Sequence, residues 1–219
     1  MINFQKIIII TGHYGCGKTN LAVNLALHLA DGGEQVTIMD LDIVNPYFRT
    51  NDCKELFEER GIELVAANFA STNLDVPSLP GSVASKIRMG DGTIILDVGG
   101  DDAGAVALGQ YAALIEEKGY EMLYVYNPFR FLTAEPEETA ESLRSIEAAS
   151  RLKATALVNN ANLGPLTTPE VVERGLTFGK QLSEVTGLPV KFTACVKGNE
   201  IQNNGTDIFP MELYLKPVE

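Results

Sequence analysis

Eight residues near the start of the chain, Gly12-His13-Tyr14-Gly15-Cys16-Gly17-Lys18-Thr19, follow the spacing G-x-x-x-x-G-K-[ST]. Glycines at these places let a loop turn tightly and bring backbone N–H groups within reach of phosphate oxygens. The positive end of the helix that follows points at the same anion. Lys18 would reach the outer phosphates, which makes it a candidate catalytic residue, and the Thr19 hydroxyl would ligate Mg²⁺. The chemistry predicted is binding of a nucleoside triphosphate through Gly12, His13, Tyr14, Gly15, Cys16, Gly17, Lys18, Thr19 and the adjoining Asn20.

Two further segments carry acids that could serve the same anion. Asp40-Leu41-Asp42 ends an apolar run, and two carboxylates two residues apart can divide the work. Asp42 is assigned to Mg²⁺ or to the attacking water, as a second candidate catalytic residue, and Asp40 to support of the strand end. The run Thr93-Ile94-Ile95-Leu96-Asp97-Val98-Gly99-Gly100 has the form of a Walker B strand. Asp97 would accept from a Mg²⁺-bound water or from Thr19, so Thr19, Asp42 and Asp97 form the expected metal set. Gly99 and Gly100 would let the backbone approach the γ-phosphate and shift when it leaves. Asp101 and Asp102 read as further acids of the Mg²⁺ shell or, the favoured reading, as the N-cap of the next helix. For the base, no Asn-Lys-x-Asp tetrad of the guanine-binding kind occurs. Instead Leu157-Val158 runs into Asn159 and Asn160, and an asparagine amide can donate to and accept from adenine together. ATP is favoured over GTP, with Asn159 or Asn160 at the base.

These residues must be delivered to one edge of a sheet. Apolar segments at 6–10, 35–39, 62–66, 93–97, 123–126, 154–159 and 190–194 read as strands, several of them continuous as in strands covered on both faces. Helical patterns at 20–30, 51–60, 137–149 and from Pro169 onward alternate with them. Gly32-Gly33, Gly61 and Gly187 stand at helix ends, and Pro136 and Pro169 at helix starts. In the last helix Val171, Gly175, Phe178, Leu182 and Val185 fall on one stripe. Alternation of this kind predicts an α/β fold, a mostly parallel twisted sheet with helices on both faces. One domain over 1–219 is expected, with a core at about 5–197, an irregular stretch at 68–81 and a tail at 198–219 without clear periodicity.

Composition narrows the partners. Lys and Arg number 17 against 29 Asp and Glu, a net charge of −12 that disfavours nucleic acid and anionic membrane. No apolar run approaches a membrane span and no signal peptide is visible, so a cytoplasmic location is expected. The three cysteines, Cys16, Cys53 and Cys195, form no C-x-x-C, which argues against a disulfide framework or iron–sulfur delivery.

In this order the loop, Asp40-x-Asp42, Asp97-Val98-Gly99-Gly100 and the strand-end asparagine resemble the MinD/ParA group of P-loop ATPases. That SIMIBI-class group also holds cobyrinate amidase-type (CobQ/CobB) and dethiobiotin-synthetase-type domains. The resemblance spans about 7–196 and implies a seven- or eight-stranded, mostly parallel sheet, Mg²⁺ and ATP. It makes Asp40/Asp42 the first switch, 97–100 the second, and Asn160 the base contact with Asn159 its neighbour. Many members sandwich two ATP molecules in a homodimer through a lysine after the first loop glycine. This chain has His13 there, and an imidazole cannot supply the same fixed charge. The resemblance thus implies an ATP-hydrolysing switch or chaperone-like protein with a protein partner. The alternative it implies is an ATP-dependent ligase or amidating synthase, with Arg49 and Arg130 as anion clamps for a small-molecule substrate.

Overall fold

The isoleucine run forms the strand β1 (Ile7–Thr11). In the computed structural model, which describes residues 2–42, 53–66, 81–100, 102–131, 133–199, 201 and 205–215, both faces of that strand are covered. Ile7 and Ile9 enter one apolar cluster and Ile8 and Ile10 the other, the period-two alternation of a strand. Seven more strands join it among the described residues: β2 (Val36–Leu41), β3 (Glu63–Ala66), β4 (Thr93–Val98), β5 (Glu121–Tyr126), β6 (Ala156–Asn159), β7 (Val190–Val196) and β8 (Asp207–Met211). They make one sheet in the order β3-β2-β4-β1-β5-β6-β7-β8, and every neighbouring pair is parallel.

Parallel neighbours need crossovers, and helices supply them. The helices α1 (Lys18–Asp31) and α2 (Lys54–Glu59) cover one face; α3 (Gly81–Met89), α4 (Asp102–Gly109), α5 (Ala112–Lys118), α6 (Pro136–Ser150) and α7 (Pro169–Thr186) cover the other. The chain runs outward from β1 to β3 on one side. It then returns through β4, which inserts between β2 and β1, and proceeds outward through β5 to β8. That reversal opens a crevice at the carboxyl ends of the central strands.

Helix ends follow the residues that mark them. Pro136 opens α6 with Glu137 and Glu138 in the first turn, where acids suit the helix dipole. Gly187 closes α7 in the left-handed conformation, its N–H donating to the Ser183 carbonyl. Val171, Gly175, Phe178 and Leu182 are buried, whereas Val185 is 38% exposed, beyond the packed stretch of the helix.

The tail departs from expectation, because 207–211 pairs with β7 as the edge strand β8. The signal is short: only Phe209 and Met211 are buried, and Pro210 between them points away from a strand reading. Proline is tolerated there because an edge strand has one side without ladder partners. Phe209 packs against Phe192 and, edge-on, against His28, so that exposed histidine has a contact with the sheet. The irregular stretch at 68–80, the first two residues of the 51–60 helix and Arg49 lie outside the described residues.

Helix α7 sits unusually close to the sheet. A Cβ added at Gly175 would fall 2.3 Å from Asn159 Oδ1 and from Ala161 Cβ, and one at Gly179 would fall 2.0 Å from Tyr126 Oη. The Tyr126 hydroxyl donates to the Gly175 carbonyl at 3.1 Å, a buried bond that this approach permits. Gly175→Ala should therefore lower stability by about 1–3 kcal/mol through overpacking, read as a lower urea midpoint with an unchanged slope. A midpoint equal to that of the parent would show that α7 can withdraw without cost.

Candidate functional site

The register of three strands builds the site. Ile10 of β1 stands level with Asp97 of β4, and Asp97 level with Asp40 of β2. β1 then passes directly into the glycine loop, and Lys18 and Thr19 at the end of that loop act on Asp97.

Three loop glycines have positive φ: Gly12 at 145°, Gly15 at 74° and Gly17 at 88°. At Gly12 a side chain is also sterically forbidden, since a Cβ would lie 2.2 Å from the Val125 carbonyl oxygen. At Gly17 it would lie 2.4 Å from Asn160 Nδ2. Gly100 abuts the same loop, where a Cβ would meet the Gly12 carbonyl at 2.5 Å and the Tyr14 nitrogen at 2.7 Å. The segment after β4 and the phosphate-type loop are therefore in backbone contact. Cys16 packs beneath the loop, and burial pushes its thiol above the ordinary range.

Lys18 is buried and folds back so that its Nζ donates to the His13 carbonyl at 3.4 Å. His13 has its pKa lowered, by burial first and by Lys18 second, which favours the neutral imidazole. Tyr14 is exposed at the tip. Asp40 accepts from the Asp42 N–H at 3.0 Å, which turns the chain at the end of β2. Asp97 is buried, and its pKa is pushed up to about 7 by desolvation first and the neighbouring Asp40 second; Lys18 and a hydrogen bond from Thr19 act the other way.

A cleft of about 360 Å³ opens beside the loop, lined by Lys18, Thr19, Asp42, Arg130, Leu213 and Leu215 among others. A larger groove of about 630 Å³ runs along α7 past Thr177, Lys180 and Val190, and none of the loop residues borders it. The two asparagines part company. Asn159 is fully buried; its Nδ2 donates to the Val172 carbonyl and to Thr193, and its Oδ1 accepts from the Ala161 N–H. Asn160 reaches the loop, where its Nδ2 donates to the Cys16 carbonyl at 2.7 Å. The Asn20 side chain is held by the segment after β8, at the Glu212 carbonyl and the Tyr214 N–H. Asp101 lies outside the described residues, and α4 begins at Asp102.

Sequence reasoning passed over two groups at the cleft. Leu213 and Leu215 had no periodic signal. Asn162 lines the cleft too, braced by Asn127, whose Nδ2 donates to the Asn162 carbonyl at 3.0 Å. The Asn-x-Asn spacing at 160–162 was the available sign. Asn127 also accepts from the Phe129 N–H, and Arg174 of α7 stacks over the Phe129 ring at 4.8 Å. This bracing sets Arg130 beside Gly15, its Nε 3.8 Å from where a Cβ on that glycine would be.

Known proteins resemble the chain in part and in shape. Residues 3–75 match the family model for ParA, described as the NUBPL iron-transfer P-loop NTPase. No curated protein matches. The cell division protein FtsY of Thermotoga maritima is 18% identical with a TM-score of 0.56, over 91% of this chain and 65% of that one. FtsY of Mycoplasma mycoides is 16% identical with a TM-score of 0.58, over 89% and 62%. The signal recognition particle 54 kDa protein of Aeropyrum pernix, solved with GDP, is 20% identical with a TM-score of 0.53, over 85% and 40%. The chain thus spans less than two thirds of each of these proteins. Its fold is the α/β P-loop NTPase-like fold that these structures share.

The raised pKa of Asp97 has a measurable consequence. Native Asp97 keeps its proton up to about pH 7, whereas an ordinary aspartate loses it near 3.8. The stability gained by holding the proton is complete below about pH 4 and lost as pH rises through about 7. Asp97→Asn should therefore be more stable than the nucleotide-free parent at both pH 5 and pH 8, by a clearly larger margin at pH 8. Urea unfolding at the two pH values checks this; parallel curves for the two proteins would contradict it.

Proposed function

We propose that the protein binds Mg-ATP in the cleft beside Gly12–Thr19 and hydrolyses it, acting as a nucleotide switch for a protein partner in the manner of MinD and ParA. The observation that carries this reading is the loop itself. Its glycines bring backbone N–H groups and the buried Lys18 to the end of a central strand, at the sheet edge where Asp40 stands level with Asp97. A polyanion would meet positive charge at Lys18 and at the start of α1, and Lys18 would exchange its weak bond to the His13 carbonyl for phosphate oxygens.

The donor set fits a hard cation. Thr19 and Asp42 border the cleft, and Asp97 is raised by burial first and by the negative charge of Asp40 second, a charge that a divalent ion would offset. Mg²⁺ keeps several waters and needs only one or two protein oxygens, so Thr19 and Asp42 would hold it with Asp97 behind them. Bound there, the ion would neutralise charge developing on the phosphates. Asp42, at the mouth of the cleft, would orient the attacking water and take its proton. Gly100, in contact with the loop backbone, would carry the change in phosphate occupancy to α4. Asn160 remains the base contact proposed, and ATP the proposed nucleotide over GTP.

Iron transfer, the activity in the description of the matching family model, is not extended to this chain. The chain has no C-x-x-C and its three cysteines are buried. Among the described residues no helix is long and apolar enough to cross a membrane, and a cytoplasmic location is proposed. His13, whose lowered pKa favours the neutral imidazole, lacks the fixed charge that a lysine would bring to a partner's nucleotide, so the oligomeric state is proposed not to be set by ATP. One observation favours the ligase reading: Arg130 lines the cleft, where a guanidinium could clamp a carboxylate substrate.

Lys18→Ala should abolish Mg-ATP binding in calorimetry while the protein still folds, read as a retained cooperative melting transition. Binding as tight as in the parent would sink the loop reading. Asp42→Asn should retain binding and slow phosphate release at least about ten-fold, since an amide cannot accept the water's proton. Turnover that rises only with a protein partner supports the switch, and stoichiometric modification of a carboxylate metabolite supports the ligase.

A further inference from the structure

The cleft has two chemically different linings. The loop residues with Lys18 and Thr19 supply the polar one. Leu213 and Leu215, two residues apart on the segment after β8, supply an apolar one. Leu213 is 60% exposed, an apolar side chain left open beside a polar loop.

This segment is held by more than packing. Asn20 Nδ2 donates to the Glu212 carbonyl at 3.0 Å, and Asn20 Oδ1 accepts from the Tyr214 N–H at 3.1 Å. Asn24 repeats the pattern one helical turn later: its Nδ2 donates to the same carbonyl at 2.9 Å and its Oδ1 accepts from the Glu212 N–H at 2.8 Å. Residues four apart share a helix face, so the two amides pair with the segment as a strand edge would. Lys197 adds an ion pair to Glu212. Because α1 begins with Lys18 and Thr19, the helix that presents the phosphate-type loop also fixes the two leucines relative to it.

We propose that residues 212–215 form the base-binding wall of the nucleotide site. Leu213 and Leu215 lie against one face of the nucleobase, and Asn20 and Asn24 act as positioning residues. The inference rests on the nucleotide reading above. A triphosphate whose outer end sits at Lys18 leaves its nucleoside to fill the rest of the cleft, and the apolar side of that space is the leucine pair. An aliphatic wall covers the face of a base and makes no hydrogen bond to its edge, so it serves adenine and guanine alike.

The test compares calorimetric binding of ATP, GTP and inorganic tripolyphosphate, each with Mg²⁺. The Leu213→Ser/Leu215→Ser variant should lose about ten- to a hundred-fold in affinity for both nucleotides, the scale of burying two leucine faces. Its tripolyphosphate affinity should stay within about two-fold, because the phosphate end is untouched. Asn24→Ala should give a smaller loss with the same split between nucleotide and tripolyphosphate, which general loosening of the fold would not produce. Leu213→Ser alone, at an exposed site, serves if the double variant does not fold. Unchanged nucleotide affinity, or an equal loss for tripolyphosphate, overturns the wall. A parent protein that binds tripolyphosphate as tightly as ATP overturns the wall and leaves the phosphate site standing. A parent that binds none of the three overturns the nucleotide reading and the wall with it.

Discussion

The rest of the structure depends on one crowding constraint, the level at which β1, β2 and β4 end. Two aspartates on adjacent parallel strands finish side by side, and the loop leaving the third strand starts at the same edge. Burial and mutual repulsion hold Asp97 well above the usual carboxylate range. The loop can occupy that position only because Gly12 and Gly100 leave room for backbone against backbone. Lys18, from the helix that the loop starts, supplies the nearest opposing charge. Glycine spacing, strand register and lysine placement are thus three parts of one solution to packing charge at the edge of a sheet.

The same closeness recurs on the far side of β1. Gly175 and Gly179 bring α7 against β5 and β6, where Tyr126 and Asn159 spend their polar groups on the helix backbone. Asn159 is thereby a brace for α7, while Asn160, the next residue, turns the other way and latches the loop at Cys16. One strand end therefore ties a helix on one side and the loop on the other. The network of Asn127 and Asn162 extends this tie to the segment that holds Arg130.

The fold class was legible because its signals are long and periodic. Four isoleucines, the Thr93–Asp97 run and the capped helices at Pro136 and Pro169 each state their element locally, and the loop motif states the class of domain. What was not legible depended on distant pairing. β8 is five residues with a proline, and it exists as a strand because β7 offers an edge. Leu213 and Leu215 carry no motif, and their place at the cleft comes from amides nearly the whole chain away. Asn159 and Asn160 are indistinguishable as letters; only the pleat, which sends successive side chains to opposite faces, separates them.

The clasp between α1 and the segment after β8 also bears on the order in which the molecule becomes complete. Its hydrogen bonds join residues 188 to 194 positions apart. A chain emerging from synthesis can close the glycine loop over β4 once about half of it is made. The apolar side of the cleft is added only when residue 215 is free to return to the first helix. Through the second half of its synthesis the chain is a sheet with half a pocket, and contacts this distant in sequence are the slow ones to form. A ligand that touches both linings of the cleft would favour the closed clasp over the open one, and would bind poorly to any shortened chain that stops before the return.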